Sequence, residues 1–421
     1  MTKHYKRQII FIFLIVNVIS TYSQKNLFQN KFSKLYNFKI VPKTNLNFKE
    51  YYEITIQQSL DHINPKDKFN QRIYVGFKDF NAPTVIVTDG YAIDYASKQD
   101  YSNELTTELK ANIVVVEHRF FGKSIPDSID WDLLTMKQAA DDYHFIKSIL
   151  DKILSGKWIS SGISKGGQAA LSYKMFYPND IAVAVTYGAA IKNKQSVFSD
   201  TILLNLTQTV CGKKVSELQQ YLFTHKSILL PYFSDFTSQK KYDFSPLDNE
   251  IVMDYMLLEL PFSFWQNGNK CEDIPDSTFN TENLVGYLTK IVPPRFFSVN
   301  NKKQLESAFY MFYHELGYYE YNTNPFTKYL KRKDYSNKYF APQNITIQYD
   351  NTFHKTVNTF MKSSDSKNVF FIYGQNDPWA LQTTTSENVF IVPSGSHKSR
   401  IVNFSFEQQA DIYNKIKACI K

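Results

Sequence analysis

Cysteine is scarce in this 421-residue sequence, which contains only Cys211, Cys271 and Cys419. Three cysteines allow at most one disulfide and leave one thiol free. Cys211 and Cys271 fall in the same middle segment and are the favoured pair, with three unpaired thiols as the alternative. The spacing of the three residues suits no metal site, and we expect no bound metal.

Concentrated positive charge is also lacking. The formal net charge is +8, and Lys3, Lys6 and Arg7 contribute to it from the start of the chain. The rest of the excess is spread out, and no basic run is interleaved with aromatic residues, which argues against nucleic-acid binding. Internal repeats and low-complexity linkers are absent as well. A composition of 43% hydrophobic residues excludes global disorder.

The N-terminus lacks a hydrophobic run long enough to span a membrane comfortably. Its basic residues precede the apolar stretch "IIFIFLIVNVI", and the small and polar residues "STYSQ" follow. This order predicts a secretory signal peptide over residues 1–23, cut near Ser23 and Gln24, and a secreted or periplasmic location. An uncleaved membrane anchor is the alternative, whereas cleavage would leave no stable membrane insertion.

Strand and helix patterns divide the rest of the chain. Alternating apolar residues in "YYEITIQQSLDH" and "FNQRIYVGFKDF" predict a hairpin, and the continuous runs "TVIVTDGY" and "NIVVVEHRFFG" predict buried parallel strands. Residues 97–109 and 134–154 have helical patterns. This alternation predicts a doubly wound α/β sheet. Residues 197–340 are helical in period and rich in aromatics, which predicts a cap inserted between two parts of the sheet domain, 24–196 and 341–421.

A serine between glycines stands out in "KWISSGISKGGQAALSYKMFYP", residues 157–178. A strand pattern stops at Gly162, and a helical pattern starts at once and ends before Pro178. Glycines there are ordinary turn chemistry, but a serine on a sharp strand-to-helix turn has its hydroxyl exposed at the positive end of the helix. The context predicts the nucleophile elbow of an α/β-hydrolase, with Ser164 as nucleophile.

A serine nucleophile needs a base and an orienting carboxylate, which follow in this fold in the order Ser, acid, His. Asp377 follows the strand pattern of "NVFFIYGQNDPW", and His397 follows that of "NVFIVPSGSHKS". Both therefore belong just past the carboxyl ends of strands, where open α/β sheets build their sites. We predict the triad Ser164, Asp377 and His397; His354 follows no such strand and is the weaker candidate base.

The oxyanion of the tetrahedral intermediate needs two pre-aimed N–H donors. We expect the backbone N–H of Lys165 and that of Tyr91, which ends the loop "VTDGY" after an early central strand. In "EHRFFGKS", Glu117 and its two successors end another central strand. They are either a network that holds the oxyanion loop or a buried structural trio.

Several stretches together resemble one family. In chain order they are "QSLDH", "FNQRIYV", "VTDGY", "VVVEHRFFGKS", "SGISKGGQAALSYKMFYP", "GQNDPW" and "SGSH". Residues 50–420 are similar to the secreted bacterial prolyl tri- and tetrapeptidyl aminopeptidases, and more distantly to the lysosomal Pro-Xaa carboxypeptidases and dipeptidyl peptidases. The resemblance includes "PFSFWQ", "CEDIP" and "FYMFYHELGY" in the cap. Lys165 departs from the pattern, because related enzymes often have an aromatic or other residue there.

The resemblance implies a secreted serine exopeptidase of α/β-hydrolase fold with a helical cap. Such an enzyme cleaves peptide substrates after proline near a free N-terminus and uses no cofactor. It implies Ser164 as nucleophile, Asp377 as acid and His397 as base. The alternatives are a carboxylesterase or lipase on the same fold, and a catalytically inactive hydrolase-like binding protein. Lipases usually have an apolar lid and inactive relatives usually lose a triad member, and neither description fits this sequence.

Recognition of a substrate N-terminus requires carboxylates in a partly desolvated pocket. Glu259 in "LLELPFSFW" and Glu315 in "FYHELGY" are the candidates, since a glutamate on an apolar helical face needs a partner. Pairing with a nearby Lys or Arg, or contact with solvent, is the alternative for each. Four neighbouring aromatic residues are candidates for a flat slot that suits a proline ring, with packing in the core as the alternative: Phe262, Phe264, Trp265 and Tyr313.

Overall fold

A mixed nine-stranded β-sheet forms the centre of the molecule. The computed structural model describes residues 26–191, 196–197, 201–276, 280–380 and 387–421, so the predicted signal peptide lies outside the described residues. The strands are β1 (Lys39–Lys43), β2 (Glu50–Ser59), β3 (Lys68–Phe77), β4 (Thr84–Thr88), β5 (Asn112–Val116), β6 (Trp158–Ile163), β7 (Val183–Tyr187), β8 (Ser196–Val197), β9 (Tyr319–Glu320), β10 (Val369–Gly374) and β11 (Val389–Val392).

Helices flank this sheet and fill the segment between β7 and β10. They are α1 (Leu27–Leu35), α2 (Glu104–Glu108), α3 (Met136–Leu150), α4 (Lys165–Phe176), α5 (Thr201–Gln208), α6 (Val210–Thr224), α7 (Lys226–Gln239), α8 (Asn249–Asn267), α9 (Thr281–Ile291), α10 (Val299–Met311), α11 (Thr352–Phe360) and α12 (Phe406–Cys419). Helix α10 continues into a π-helical turn, Phe312–Leu316. Short 3₁₀ turns cover Asp94–Ser97, Trp131–Leu133, Cys271–Asp273, Pro294–Phe297, Asn324–Phe326, Asn337–Phe340, Ser364–Asn368 and Ile401–Asn403.

The strand order is β1-β2-β3-β5-β4-β6-β7-β10-β11. The pairs β1–β2, β2–β3 and β3–β5 are antiparallel, and every pair from β5 to β11 is parallel. The hairpin that the alternating sequence predicts is the β2–β3 pair. The parallel strands are continuous apolar runs because helices cover both of their faces.

Side chains of one strand alternate between two hydrophobic cores, one on each face of the sheet. In β5, Ile113 and Val115 belong to one core, and Val114 and Val116 to the other. Helices α1, α3, α4 and α11 cover one face, and α2 and α12 cover the other. Helix α4 is buried over nearly its whole length, which fixes the residues at its N-terminus against the sheet.

The segment between β7 and β10 contains helices α5–α10, which pack around a core of their own. Its centre is α8, whose side chains from Val252 to Trp265 are nearly all buried. The short strands β8 and β9 pair in parallel and bring the beginning of this segment next to its end. The architecture is an α/β-hydrolase fold with an inserted helical cap, as the sequence predicted.

The structure differs from the sequence prediction at the start of α2 and at the cysteines. The helix expected over 97–109 is shorter, because Asn103 and Thr106 form a capping box that starts α2 at Glu104. The disulfide favoured for Cys211 and Cys271 is not present; all three cysteines are free thiols, which was the alternative. Burial and then the neighbouring Cys271 thiol raise the pKa of Cys211 to about 12, so the favoured pair is in contact.

Among the described helices, none is both long and apolar enough to cross a membrane.

Candidate active site

The loops that carry the predicted site residues open at one edge of the sheet. Strands β5, β4, β6, β7, β10 and β11 are parallel, so their carboxyl ends lie side by side. Ser164 follows β6, Asp377 follows β10, and His397 follows β11. In open α/β sheets this edge is where ligands bind.

Ser164 occupies a strained turn between β6 and α4. Its backbone has φ 57° and ψ −124°, a conformation that costs free energy for a residue with a Cβ. Its N–H donates to the Tyr187 carbonyl at 2.7 Å, and its own carbonyl accepts the Gln168 N–H at 3.1 Å. These bonds to β7 and to α4 hold the turn, which is the geometry of a nucleophile elbow.

Gly162 shows why the elbow needs glycine. A Cβ at Gly162 would lie 2.0 Å from the Gly166 carbonyl oxygen. The two ends of the turn therefore touch backbone to backbone, and only glycine has no Cβ to prevent this contact.

Asp377 and His397 form a hydrogen-bonded pair. His397 Nδ1 lies 2.8 Å from Asp377 Oδ2, and the Asp377 side chain is completely buried. The other carboxylate oxygen, Oδ1, accepts the Trp379 N–H at 2.9 Å. Because Nδ1 faces the carboxylate, Nε2 is the ring nitrogen left for proton transfer.

The structure gives His354 a different environment from that of His397. His354 is buried in α11, and its Nε2 lies 3.0 Å from the Leu316 carbonyl oxygen. His397 instead lines the same cavity as Ser164. The arrangement thus brings together Ser164, Asp377 and His397 and leaves His354 in the core.

Gly188 is a site residue that the sequence analysis missed. It follows β7 with φ +55°, and a Cβ there would lie 2.8 Å from His397 Nδ1 and 3.2 Å from Asp377 Oδ2. Only glycine leaves room for the His–Asp pair. The signal was present in "VTYGAA", where a glycine follows a buried strand at the edge that carries the site.

A cavity of about 170 Å³ lies between the elbow and the cap. Ser164, Lys165 and His397 line its sheet side, together with Tyr91, Gln168 and Ala190. The cap and the loop after β10 provide the rest: Gln266, Phe296, Leu305, Ala308, Phe309, Phe312, Gly317, Tyr318 and Trp379.

The aromatic slot predicted from the sequence lies elsewhere than expected. Phe262, Phe264, Trp265 and Tyr313 are buried in the cap core. The cap and the loop after β10 instead line the cavity with Phe296, Phe309, Phe312, Tyr318 and Trp379. The prediction was wrong because α8 is apolar on every side, so its sequence does not show which face meets the sheet domain.

The two expected oxyanion donors differ in their surroundings. Lys165 is the first residue of α4, where backbone N–H groups have no partner within the helix. The Tyr91 N–H, in contrast, donates to Asp89 Oδ1 at 2.9 Å. Asp89 thus folds back onto its own loop and engages this N–H, and the role of Tyr91 as an oxyanion donor stays a prediction.

Glu117 supports both interpretations of its motif. It binds Arg72 in a buried ion pair and accepts the hydroxyl of Ser124 at 2.8 Å. Its Oε1 also accepts the Ile93 N–H at 3.2 Å, which ties down the loop after β4. Arg119 pairs with buried Asp142, with its Nε 2.8 Å from Oδ2, and has a structural role.

Glu259 lies deep in the cap and keeps part of its side chain accessible. It accepts hydroxyl groups from Tyr319 at 2.6 Å, Ser263 at 2.7 Å and Tyr321 at 3.0 Å. Burial raises its pKa, against the effect of these hydrogen bonds. Glu259 does not line the cavity of Ser164, so its contact with a substrate amine stays a prediction.

Glu315 is buried in the π-helical turn, and its Oε1 accepts the Met136 N–H at 2.6 Å. Burial raises its pKa to about 8, although Lys165 acts in the opposite direction. It too is absent from the cavity lining, so an amine-binding role for Glu315 also stays a prediction. Within the described ranges no group of three or more His, Cys, Asp or Glu side chains is arranged to hold a metal.

Comparison with known proteins gives a family match over most of the chain. Residues 34–416 match the family described as PS-10 peptidase S37. The prolyl tri/tetrapeptidyl aminopeptidase of Streptomyces mobaraensis is 26% identical over 398 residues, which cover 91% of this chain and 82% of that protein. The lysosomal Pro-X carboxypeptidase of Homo sapiens is 27% identical over 179 residues, 38% of this chain and 36% of that protein.

Solved structures give a more distant likeness. The proline iminopeptidase of Mycobacterium smegmatis is 11% identical, with a TM-score of 0.37, over 87% of this chain and 98% of that one. The topology of the sheet and the elbow, described above, carries the assignment of the fold.

Proposed function

Since this chain belongs to the PS-10 peptidase S37 family, it is a serine peptidase, and we propose that it cleaves peptides after proline close to a free N-terminus. The observation that carries the proposal is the His397–Asp377 pair, with Nδ1 and Oδ2 2.8 Å apart, which lines one cavity with Ser164. The names of the bacterial and the lysosomal relative both refer to proline, which supports cleavage after proline. The bacterial relative is named an aminopeptidase, which supports action close to a free N-terminus.

The proposed reaction follows acyl-transfer chemistry. Ser164 Oγ attacks the carbonyl carbon of the proline residue while its proton passes to His397 Nε2. The C–N bond then breaks, and the same proton passes to the leaving amine nitrogen. Water adds to the acyl-enzyme by the reverse sequence, which releases the peptide acid and returns the proton to Ser164. Asp377 holds the imidazole in the required tautomer and stabilises its cation.

The cavity lining supports a proline ring at the position that is cleaved. A proline side chain is short, apolar and flat, and aromatic faces bind such rings with little loss of entropy. Phe312 stacks on Tyr318 with a centroid separation of 4.6 Å, and the Trp379 ring is tilted against Tyr318 at a centroid separation of 5.6 Å. These rings line the same cavity as Ser164, and we propose that the proline ring binds against them.

Recognition of the terminal ammonium is the finer part of the proposal. Glu259 has the chemistry for it, because a partly accessible carboxylate deep in the cap attracts a cation. We expect Glu259→Gln or Glu315→Gln to raise KM for free-amine peptides much more than for N-blocked peptides. The readout is the ratio of the two KM values; equal increases would assign both glutamates to the scaffold.

Export is a further part of the proposal, supported by the basic and apolar pattern of residues 1–23. Expression of the full chain in a bacterial host tests it. The expected result is recovery outside the cytoplasm with a new N-terminus near Gln24, and retention in the cytoplasm with Met1 intact would contradict it.

The specificity is tested with chromogenic peptides that end in proline. The panel contains peptides of one to four residues, each with a free and a blocked N-terminus. We expect the highest kcat/KM for free peptides of three or four residues, and labelling of Ser164 by a fluorophosphonate. Preference for simple esters over every peptide would favour a carboxylesterase, and absence of labelling would favour an inactive binding protein.

A further inference from the structure

Lys165, the residue after the nucleophile, has a side chain in an unusual place. It is 1% exposed and lines the cavity that contains Ser164. A lysine is almost never fully buried without a charged partner. No carboxylate of the described residues is close enough to Lys165 Nζ for an ion pair. A buried cation without a counter-ion destabilises the fold, so its position calls for a functional reason.

The neighbours of the Lys165 ammonium group are a carbonyl and two aromatic rings. Nζ donates to the Gly90 carbonyl oxygen at 2.8 Å. It lies 4.9 Å from the centroid of Phe121 and 5.7 Å from that of Tyr91. The lysine stem also touches the loop, since a Cβ at Gly90 would lie 2.8 Å from Lys165 Cβ.

These contacts fix one peptide group of the loop after β4. The Gly90 carbonyl and the Tyr91 N–H belong to the same peptide plane. Lys165 binds the carbonyl end, and Asp89 binds the N–H end at 2.9 Å. The orientation of this peptide next to the nucleophile therefore depends on Lys165 and Asp89 together.

We propose that the Lys165 side chain is a positioning residue for the oxyanion site: it holds the Gly90 peptide and brings a buried positive charge next to Ser164. Acyl transfer is then faster with Lys165 protonated than with Lys165 neutral. The tetrahedral intermediate adds a negative charge in the cavity that Lys165 lines, so the cation stabilises the transition state more than the ground state. This inference rests on the proposed function of Ser164.

The groups that face Lys165 set the pH range of the effect. Burial lowers the pKa of Lys165 to about 7, while Glu315 and Asp89 oppose the shift. Burial raises the pKa of Asp89 to about 6 and that of Glu315 to about 8. His118 also faces the lysine, and burial keeps its pKa well below the usual value, so it is neutral. Tyr91 stays protonated because burial raises its pKa.

The direction of the pH effect follows from these groups. Lys165 loses its proton as pH rises through about 7, so acyl transfer slows on the basic side. Any general base must be unprotonated to act, so the acidic side of the profile does not report on Lys165. A basic limb that depends on the charge at position 165 is thus the expected signature of Lys165.

The test measures the acylation rate with a p-nitrophenyl ester from pH 5 to 10 and counts active serines with a fluorophosphonate. The variants are Lys165→Met, which removes the charge, and Lys165→Arg, which keeps it at every pH. Lys174→Met is the matched control, because Lys174 is also buried in α4 and binds the Pro178 and Ile181 carbonyls at 2.7 and 2.6 Å. It does not line the cavity.

We expect Lys165→Met to slow acylation about 10- to 100-fold near pH 6.5 and to remove the basic limb. Lys165→Arg should keep most of the rate and shift the limb beyond pH 9, and Lys174→Met should change neither. A wild-type rate without a basic limb overturns the inference even if Lys165→Met fails to fold. If Lys165→Met and the wild type have equal acylation rates and equal basic limbs, the inference about Lys165 is overturned and the proposed function is unaffected. A wild-type chain whose Ser164 is not labelled overturns both.

Discussion

At the scale of single residues, the three predicted triad members depend on one another. Ser164 is held in a strained conformation, and the Asp377 side chain contacts Nδ1 of His397 and the Trp379 N–H. Turnover needs all three roles, those of nucleophile, base and orienting acid. Loss of any member should therefore remove nearly all of the activity and little of the stability.

We expect Ser164→Ala and His397→Ala each to lower kcat about 10⁴- to 10⁶-fold, because only binding and oxyanion stabilisation remain. Asp377→Asn should cost about 10⁴-fold by favouring the wrong tautomer. Steady-state kinetics with a proline peptide measure the loss, and circular dichroism checks the fold. Near-normal activity of His397→Ala, together with an inactive His354→Ala, would move the base to His354.

Gly188 gives a second prediction at this scale. A methyl group at Gly188 would meet His397 Nδ1 at 2.8 Å, in a backbone conformation that alanine rarely adopts. We expect Gly188→Ala to lower kcat about 100-fold by displacing the imidazole, with a smaller effect on KM. Gly286→Ala is the control, because nothing lies within 4 Å of a Cβ there. Unchanged kinetics in Gly188→Ala would show that the His–Asp pair tolerates the displacement.

At the scale of elements, the sequence predicted those whose pattern is local. The strand before Ser164 and the two strands before Asp377 and His397 are short apolar runs that end in turn residues, so their positions follow from the sequence. The order of the strands in the sheet differs from their order in the chain, so it does not follow from the local pattern of any strand. The start of α2 was misplaced because a capping box, rather than apolar period, decides it.

The contact between the cap and the catalytic loops could not be predicted in this way. It runs through Gln266 in the last turn of α8, whose carbonyl accepts the His397 N–H at 3.2 Å and whose Oε1 accepts the Trp379 indole N–H at 2.6 Å. Such bonds depend on how the cap packs against the loops of the sheet domain. The periodicity of apolar residues within the cap or within the sheet domain does not show how the two pack together.

Gln266→Ala tests this contact. The variant loses the acceptor for Trp379, and a hydrogen bond of this kind is worth about 1 kcal/mol, so we expect kcat/KM to fall about 5-fold. Gln219→Ala is the control, because Gln219 binds the Leu257 carbonyl at 2.7 Å inside the cap. Equal losses in both variants would mean that general destabilisation of the cap, and not the loop contact, is measured.

At the scale of the whole molecule, stability should depend on pH through the buried Glu315. Its pKa in the folded state is about 8, above the usual value of about 4.3 in an unfolded chain. The folded state therefore binds the proton more tightly, and the resulting stability is complete below pH 4 and lost as pH rises through 8. Lys165 shifts in the other direction and contributes an opposite slope above pH 7.

We expect Glu315→Gln to remove this dependence, because glutamine does not ionise and still accepts the Met136 N–H. The difference in free energy of unfolding between variant and wild type should grow by a few kcal/mol, on the order of 3, from pH 5 to pH 9. Urea unfolding at both pH values measures it, with the exposed Glu217→Gln as control. A constant difference would mean that Glu315 is ionised throughout.

The long interval between β7 and β10 has a consequence for biosynthesis. The chain leaves the sheet after Tyr187 and returns at Val369, so the serine is made well before the residues that activate it. The Asp377–His397 pair and the cavity that His397 shares with Ser164 form only when β10 has paired with β7, and β11 with β10. Pairings so distant in sequence form late and slowly. A nascent chain that ends before β10 therefore lacks the predicted acid and base. We expect it to hydrolyse no peptide until β10 and β11 have been made and have joined the sheet.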